Sequence, residues 1–167
     1  MTVTGAAPSQ DEVTCEIEIE APPERVSQAL TDPKQLFTWW GKEPTVELSV
    51  FEMDSRPGGR WRFRCKPVPG AEHGAVGEQL RRNGAQDFEA HGELLEYVPP
   101  RLLVWSWVAN WHENPTQPTV VRWDLISTAQ GTRVRVTHGA LTKEPTARKD
   151  YTGGWTGVLR LLKEVAG

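Results

Sequence analysis

Asp150-Tyr151-Thr152-Gly153-Gly154-Trp155-Thr156-Gly157-Val158-Leu159-Arg160-Leu161-Leu162-Lys163-Glu164-Val165-Ala166 is the stretch on which the reading of this chain turns. Tyr151, Trp155, Val158, Leu159 and Leu162 recur at helical spacing and lay one apolar stripe along a long amphipathic helix. Most of the chain before it reads as strands. A lone long helix that follows antiparallel strands buries its stripe across the sheet. Here the stripe carries the bulky Trp155 directly behind Gly153 and Gly154, so a twisted sheet curled around it leaves a hollow rather than a solid seam. The expected product is a container.

Working outward, Val13, Cys15, Ile17 and Ile19 alternate with Thr14, Glu16, Glu18 and Glu20, which is a half-buried strand. Pro22-Pro23 permits a helix start, and Val26, Ala29 and Leu30 form its inner face up to Thr31. Asp32-Pro33 breaks it and restarts a shorter helix that ends at Trp39-Trp40-Gly41. Strand two runs over residues 45–51. The Arg56-Pro57-Gly58-Gly59 turn leads into strand three, where Trp61, Phe63 and Cys65 alternate with a solvated row of Arg60, Arg62 and Arg64.

Residues 66–86 have no clean period beyond a short helix over 76–82, and a connection of that length suits a lid. Strands over 87–98 and 101–108 meet at Pro99-Pro100, and apolar residues on both faces of the second imply that both are covered. Val121, Trp123 and Leu125 face inward on strand six, as do Val134, Val136 and His138 on strand seven. In such a meander the 66–86, 109–118 and 139–147 connections gather at one end and ring the mouth of any cavity.

At 167 residues one domain is expected, over residues 11–167, with residues 1–10 as a disordered tail that lacks the features of a signal peptide. Nineteen basic and 22 acidic side chains leave a net charge of -3, which gives no electrostatic case for nucleic acid. No apolar run approaches the ~20 residues of a membrane span. Cys15 and Cys65, without CxxC or zinc spacing, suit a reducing cytoplasm. No nucleotide, hydrolase or zinc-protease motif occurs, and no cofactor is expected.

The element order and several residue groups together resemble the START-like (SRPBCC) superfamily, in the branch named after activators of the heat-shock-protein ATPase. The matching groups are Ala21-Pro22-Pro23-Glu24-Arg25-Val26 with Ala29-Leu30-Thr31-Asp32-Pro33, Trp39-Trp40-Gly41 and Arg56-Pro57-Gly58-Gly59-Arg60-Trp61. Gly92-Glu93 through Pro99-Pro100-Arg101-Leu102 and Gly154-Trp155 ahead of Leu159 and Leu162 complete them. The resemblance implies an α+β helix-grip fold: a seven-stranded antiparallel sheet curved around the C-terminal helix, with two short helices between strands one and two. Folds of this kind hold lipids, sterols, polyketides and other apolar molecules, and a minority catalyse cyclisation or hydrolysis. The eukaryotic activators carry a further N-terminal domain for which this chain has no room, a departure that counts against direct chaperone stimulation.

Three readings follow. The first is a module that binds a hydrophobic small molecule, with Trp61, Phe63, Trp105, Trp107, Trp123, Tyr151 and Trp155 as its wall and His138 orienting the ligand. The second is a cyclase or hydrolase in the same cavity, with His138 as the catalytic donor or base. The third is an interaction module that meets a chaperone or dimerises through the sheet. Trp111, an indole in the polar run Asn110-Trp111-His112-Glu113, is expected to flap over the opening or meet a partner. The four histidines match no metal-ligand spacing, so no metal is expected.

Overall fold

The computed structural model describes residues 11–167, and the tail expected over residues 1–10 lies outside them. Seven strands form one antiparallel sheet: β1 (Val13–Ile19), β2 (Val46–Met53), β3 (Arg60–Pro67), β4 (Phe88–Val98), β5 (Leu102–Ala109), β6 (Thr119–Thr128) and β7 (Gly131–Gly139). Their order is β1-β7-β6-β5-β4-β3-β2, so all neighbours but one follow in sequence, and β1 closes the sheet against β7. Between β1 and β2 lie α1 (Pro23–Thr31) and α2 (Pro33–Trp39). The short α3 (Gly74–Arg82) follows β3, and the long α4 (Pro145–Ala166) ends the chain. This is the α+β helix-grip arrangement.

Local chemistry sets the boundaries. Pro23 opens α1 where a missing N–H costs nothing, and Val26, Ala29 and Leu30 are fully buried on its inner face. Asp32 ends α1 and caps α2, its carboxylate accepting the Lys34 amide at 3.0 Å. In the turn before β3, a side chain on Gly59 would sit 1.8 Å from the Asp54 carbonyl oxygen, so only glycine fits.

Side-chain parity distributes the sheet as the alternation predicts. Trp61, Phe63 and Cys65 are buried, and Arg62 and Arg64 beside them reach cross-strand acids. Arg62 meets Glu52, and Arg64 meets Glu89 at 2.8 Å. On the far edge Arg133 pairs with Glu18 at 2.7 Å and Arg135 with Glu16 at 2.5 Å. These exposed pairs set register more than stability. Both faces of β5 are covered, down to Leu102 and Val104.

Two helices start earlier than expected. α4 begins at Pro145, not Asp150, because proline suits the first helical turn, so the last three residues of the 139–147 connection are helix. α3 begins at Gly74, two residues ahead of the helix expected over 76–82. The core between α4 and the β5–β7 region is solid. Trp105, Trp123, Val121, Val134 and Val136 are fully buried there, facing Trp155, Leu159 and Leu162.

Candidate functional site

Towards the β2–β3 edge the contact between α4 and the sheet opens into a cavity of about 700 Å³. Trp40, Phe63, Phe88, Trp107, Trp111 and Trp155 supply its aromatic wall. The 66–86 connection contributes Glu72 and His73, while the α2–β2 connection brings Gly41, Glu43 and Thr45 to the rim. The volume lies in the size range of small-molecule sites.

The hollow follows from the side chains α4 lacks. Gly153, Gly154 and Gly157 all line it. A methyl group on Gly153 would meet nothing within 4 Å, and one on Gly154 only Asp150 Oδ2 at 3.9 Å. Each helical glycine costs ~1 kcal/mol against alanine, so α4 forgoes stability where the hollow opens.

Of the eight side chains assigned to binding from sequence, Phe63, Trp107, Tyr151 and Trp155 line this cavity. Trp61, Trp105, Trp123 and His138 lie outside its lining, in the packed interior beside it. Trp61 spends its indole N–H on the Ser106 carbonyl at 3.0 Å, opposite Gly92, where the crossing chain leaves no room for a side chain. Trp111 is not a flap. It is 7% exposed, packed against Phe63, Phe88 and Trp107, and forms part of the wall.

His138 is held on both ring nitrogens. The Trp155 indole donates to its Nδ1 at 3.1 Å, which places the ring proton on Nε2, 2.7 Å from Thr119 Oγ1. Thr119 in turn donates to the Trp107 carbonyl at 3.1 Å. Burial pushes the imidazole pKa well below its ordinary value, and nearby His112 adds to that direction. A neutral ring with its one lone pair occupied takes no proton from a ligand, so the geometry lends no support to His138 as a general base.

The polar centre that parity could not disclose is Tyr151 with His112. His138 stacks on the Tyr151 ring, with centroids 4.4 Å apart. The Tyr151 hydroxyl accepts the Trp107 indole N–H at 3.1 Å and lies 2.6 Å from His112 Nε2. Burial raises the phenol pKa well above its usual value, although the Trp107 and Trp111 indoles favour the phenolate. The fully buried His112 is pushed down to about 4 by desolvation, with Glu113 opposing. Tyr151 can therefore donate to a neutral His112, whose Nδ1 then carries a proton facing Glu144 Oε1, 3.9 Å away.

Glu144 is itself buried and accepts the amides of Glu113 at 2.6 Å and Asn114 at 2.9 Å, plus the Asn114 side chain at 2.7 Å. Glu113 answers by accepting the Thr146 amide in the first turn of α4 at 3.2 Å. This clasp ties the β5–β6 loop to the helix.

His73 bonds the Thr45 carbonyl at 2.8 Å, and His91 is exposed on β4, so the four histidines do not converge. Among the described residues no group of three or more His, Cys, Asp or Glu is arranged to hold a metal ion. The Cys65 thiol lines the cavity, but burial pushes its pKa up to about 12, leaving it protonated and a poor nucleophile. No helix among the described residues is long and apolar enough to cross a membrane.

A curled antiparallel sheet, a C-terminal helix in its grip and a hollow between them define a START-like protein. Within that class residues 20–167 match the family described as Activator of Hsp90 ATPase homolog 1-like protein, and the chain belongs to that family. Solved structures show the same fold at low identity. A protein from Nitrosomonas europaea is 20% identical, with 95% of this chain and 96% of that one covered and a TM-score of 0.68. One from Chromobacterium violaceum is also 20% identical, with 93% and 97% covered and a TM-score of 0.73. DynU16, a protein in the dynemicin biosynthetic locus, is 18% identical, with 94% of this chain and 47% of that chain covered and a TM-score of 0.64. No curated protein matches the sequence.

Proposed function

We propose that this chain binds a hydrophobic, ring-bearing small molecule in the cavity between α4 and the β2–β3 side of the sheet. The observation that carries this reading is the 700 Å³ hollow, walled by aromatic side chains and kept open by the glycines of α4. Apolar burial at ~25 cal/mol per Å² supplies the affinity. The fold neighbour from the dynemicin biosynthetic locus supports small-molecule handling as the setting. Free thiols at Cys15 and Cys65 support a cytoplasmic site of action.

Trp111 gives the chaperone-docking reading no support, since it belongs to the cavity wall and is buried. A catalytic role for the cavity would fall to Tyr151, backed by His112, because Tyr151 lines it and His138 does not.

The test is a native mass spectrum of gently purified protein beside a denaturing one, followed by titration with naphthalene-ring probes. A released small-molecule mass, or probe binding that Gly154→Leu abolishes, supports the cavity as a binding site. An unliganded protein that binds no probe overturns it. The same native spectrum reads whether the chain dimerises.

A further inference from the structure

The proposed cavity has a charge as well as a shape. Its lining holds three carboxylates, Glu43, Glu72 and Asp150, against a single guanidinium, Arg160. Among the described residues none of these four enters an ion pair, whereas on the outer sheet face Arg62, Arg64, Arg133 and Arg135 each pair with an acid on the neighbouring strand. Arg160 lies ~15 Å along α4 from Asp150, at a rise of 1.5 Å per residue, and it is the one Lys or Arg among the described lining residues. Glu43 reaches over the helix between them, its Oε1 lying 3.1 Å from where a side chain on Gly157 would begin.

Asp150 and Tyr151 are consecutive on α4, so the carboxylate sits where the aromatic wall begins. Asp150 is open to solvent at the rim, yet the surrounding protein desolvates it enough to raise its carboxyl above the ordinary value. Among the described residues it enters no ion pair. The indole faces nearby carry negative electrostatic potential, which attracts a cation and repels an anion.

Resting on the cavity as a ligand site, we infer that its occupant is a cation: a compound with an aromatic or other apolar ring system and an ammonium group. The ring lies against the indoles, and the nitrogen faces the carboxylates near Asp150. An anionic ligand would enter a lining of net negative charge, with three carboxylates against one guanidinium.

The test is calorimetric titration of the full chain with three probes sharing one ring: 1-naphthylmethylammonium, 1-naphthylmethanol and 1-naphthoate. The ammonium compound is expected to bind about tenfold more tightly than the alcohol, and the carboxylate most weakly. High salt should shrink that advantage. The double substitution Glu72→Gln with Asp150→Asn should bring the ammonium compound down to the affinity that the alcohol shows on the same variant. Equal binding of alcohol and ammonium compound, or tightest binding of naphthoate, overturns the charge inference and leaves the cavity standing. No binding by any of the three overturns both.

Discussion

Tryptophan lines both sides of α4, yet the interior is solid on one side and hollow on the other. Towards β5–β7, Trp105 and Trp123 face one another at 5.4 Å between ring centroids, and Trp123 meets Trp155 edge-on at 5.5 Å. Valine and leucine fill the remaining space, and among the described residues the indole N–H groups of Trp105 and Trp123 find no hydrogen-bond partner. Towards β2–β3, the indoles of Trp40, Trp107 and Trp111 face a gap over Gly153, Gly154 and Gly157. The same side chain is filler where the opposing helix face is bulky and wall where it is bare. What separates the two regions is the residue opposite, not the tryptophan.

The largest test of that contrast is truncation on each side. Trp123→Ala should cost ~3–5 kcal/mol in urea unfolding, because it opens a void inside a packed core. Trp111→Ala should cost less than half as much, since it enlarges a space that already exists. Equal costs would mean that the hollow is packed in solution.

Acid supplies the next. His112 sits at about 4 in the folded chain against an ordinary value near 6.5, so the unfolded chain binds the extra proton first. The stability tied to keeping His112 neutral is whole above pH 6.5 and is lost as pH falls towards 4, up to ~3 kcal/mol. His138 acts in the same direction. His112→Gln should flatten the pH slope of stability in that window, and an unchanged slope would place the titration elsewhere.

Glu144→Ala breaks the clasp and leaves the Glu113 and Asn114 amides without their acceptor, for ~1–3 kcal/mol. Faster amide exchange in the β5–β6 loop would localise the loss; uniform exchange would refute the clasp. The smallest effect has the opposite sign. Gly153→Ala adds a methyl group where nothing lies within 4 Å and should stabilise α4 by ~0.5–1 kcal/mol. Destabilisation there would show that the space is already filled.

Parity made the solid side legible in the sequence. Trp123, Val134, Val136 and His138 were placed inward by alternation alone, and all are buried. Alternation does not extend into loops, and there it carries no signal of burial. Trp111 and His112 lie in a polar run, but that polarity is spent on the protein itself. Asn110 accepts the Glu89 amide at 3.0 Å and donates to the Asp87 carbonyl at 2.9 Å, and Asn114 serves Glu144. A segment whose polar groups bond to backbone can sink its aromatic residues. Its composition looks the same as that of a solvated loop, and the partners that distinguish the two lie 21 to 31 residues away in sequence.

The closure of β1 on β7 has a consequence for synthesis. Glu16 and Arg135, paired across those strands, are 119 residues apart in the chain. At ~5–20 residues per second, the ribosome leaves the first strand without its neighbour for on the order of ten seconds. During that interval its apolar face, Val13, Cys15, Ile17 and Ile19, is bare while the hairpins from β2 onward can already form. The alternating acids Glu16 and Glu18 then have a second use besides pairing with arginine: they keep a waiting nascent strand from joining another one.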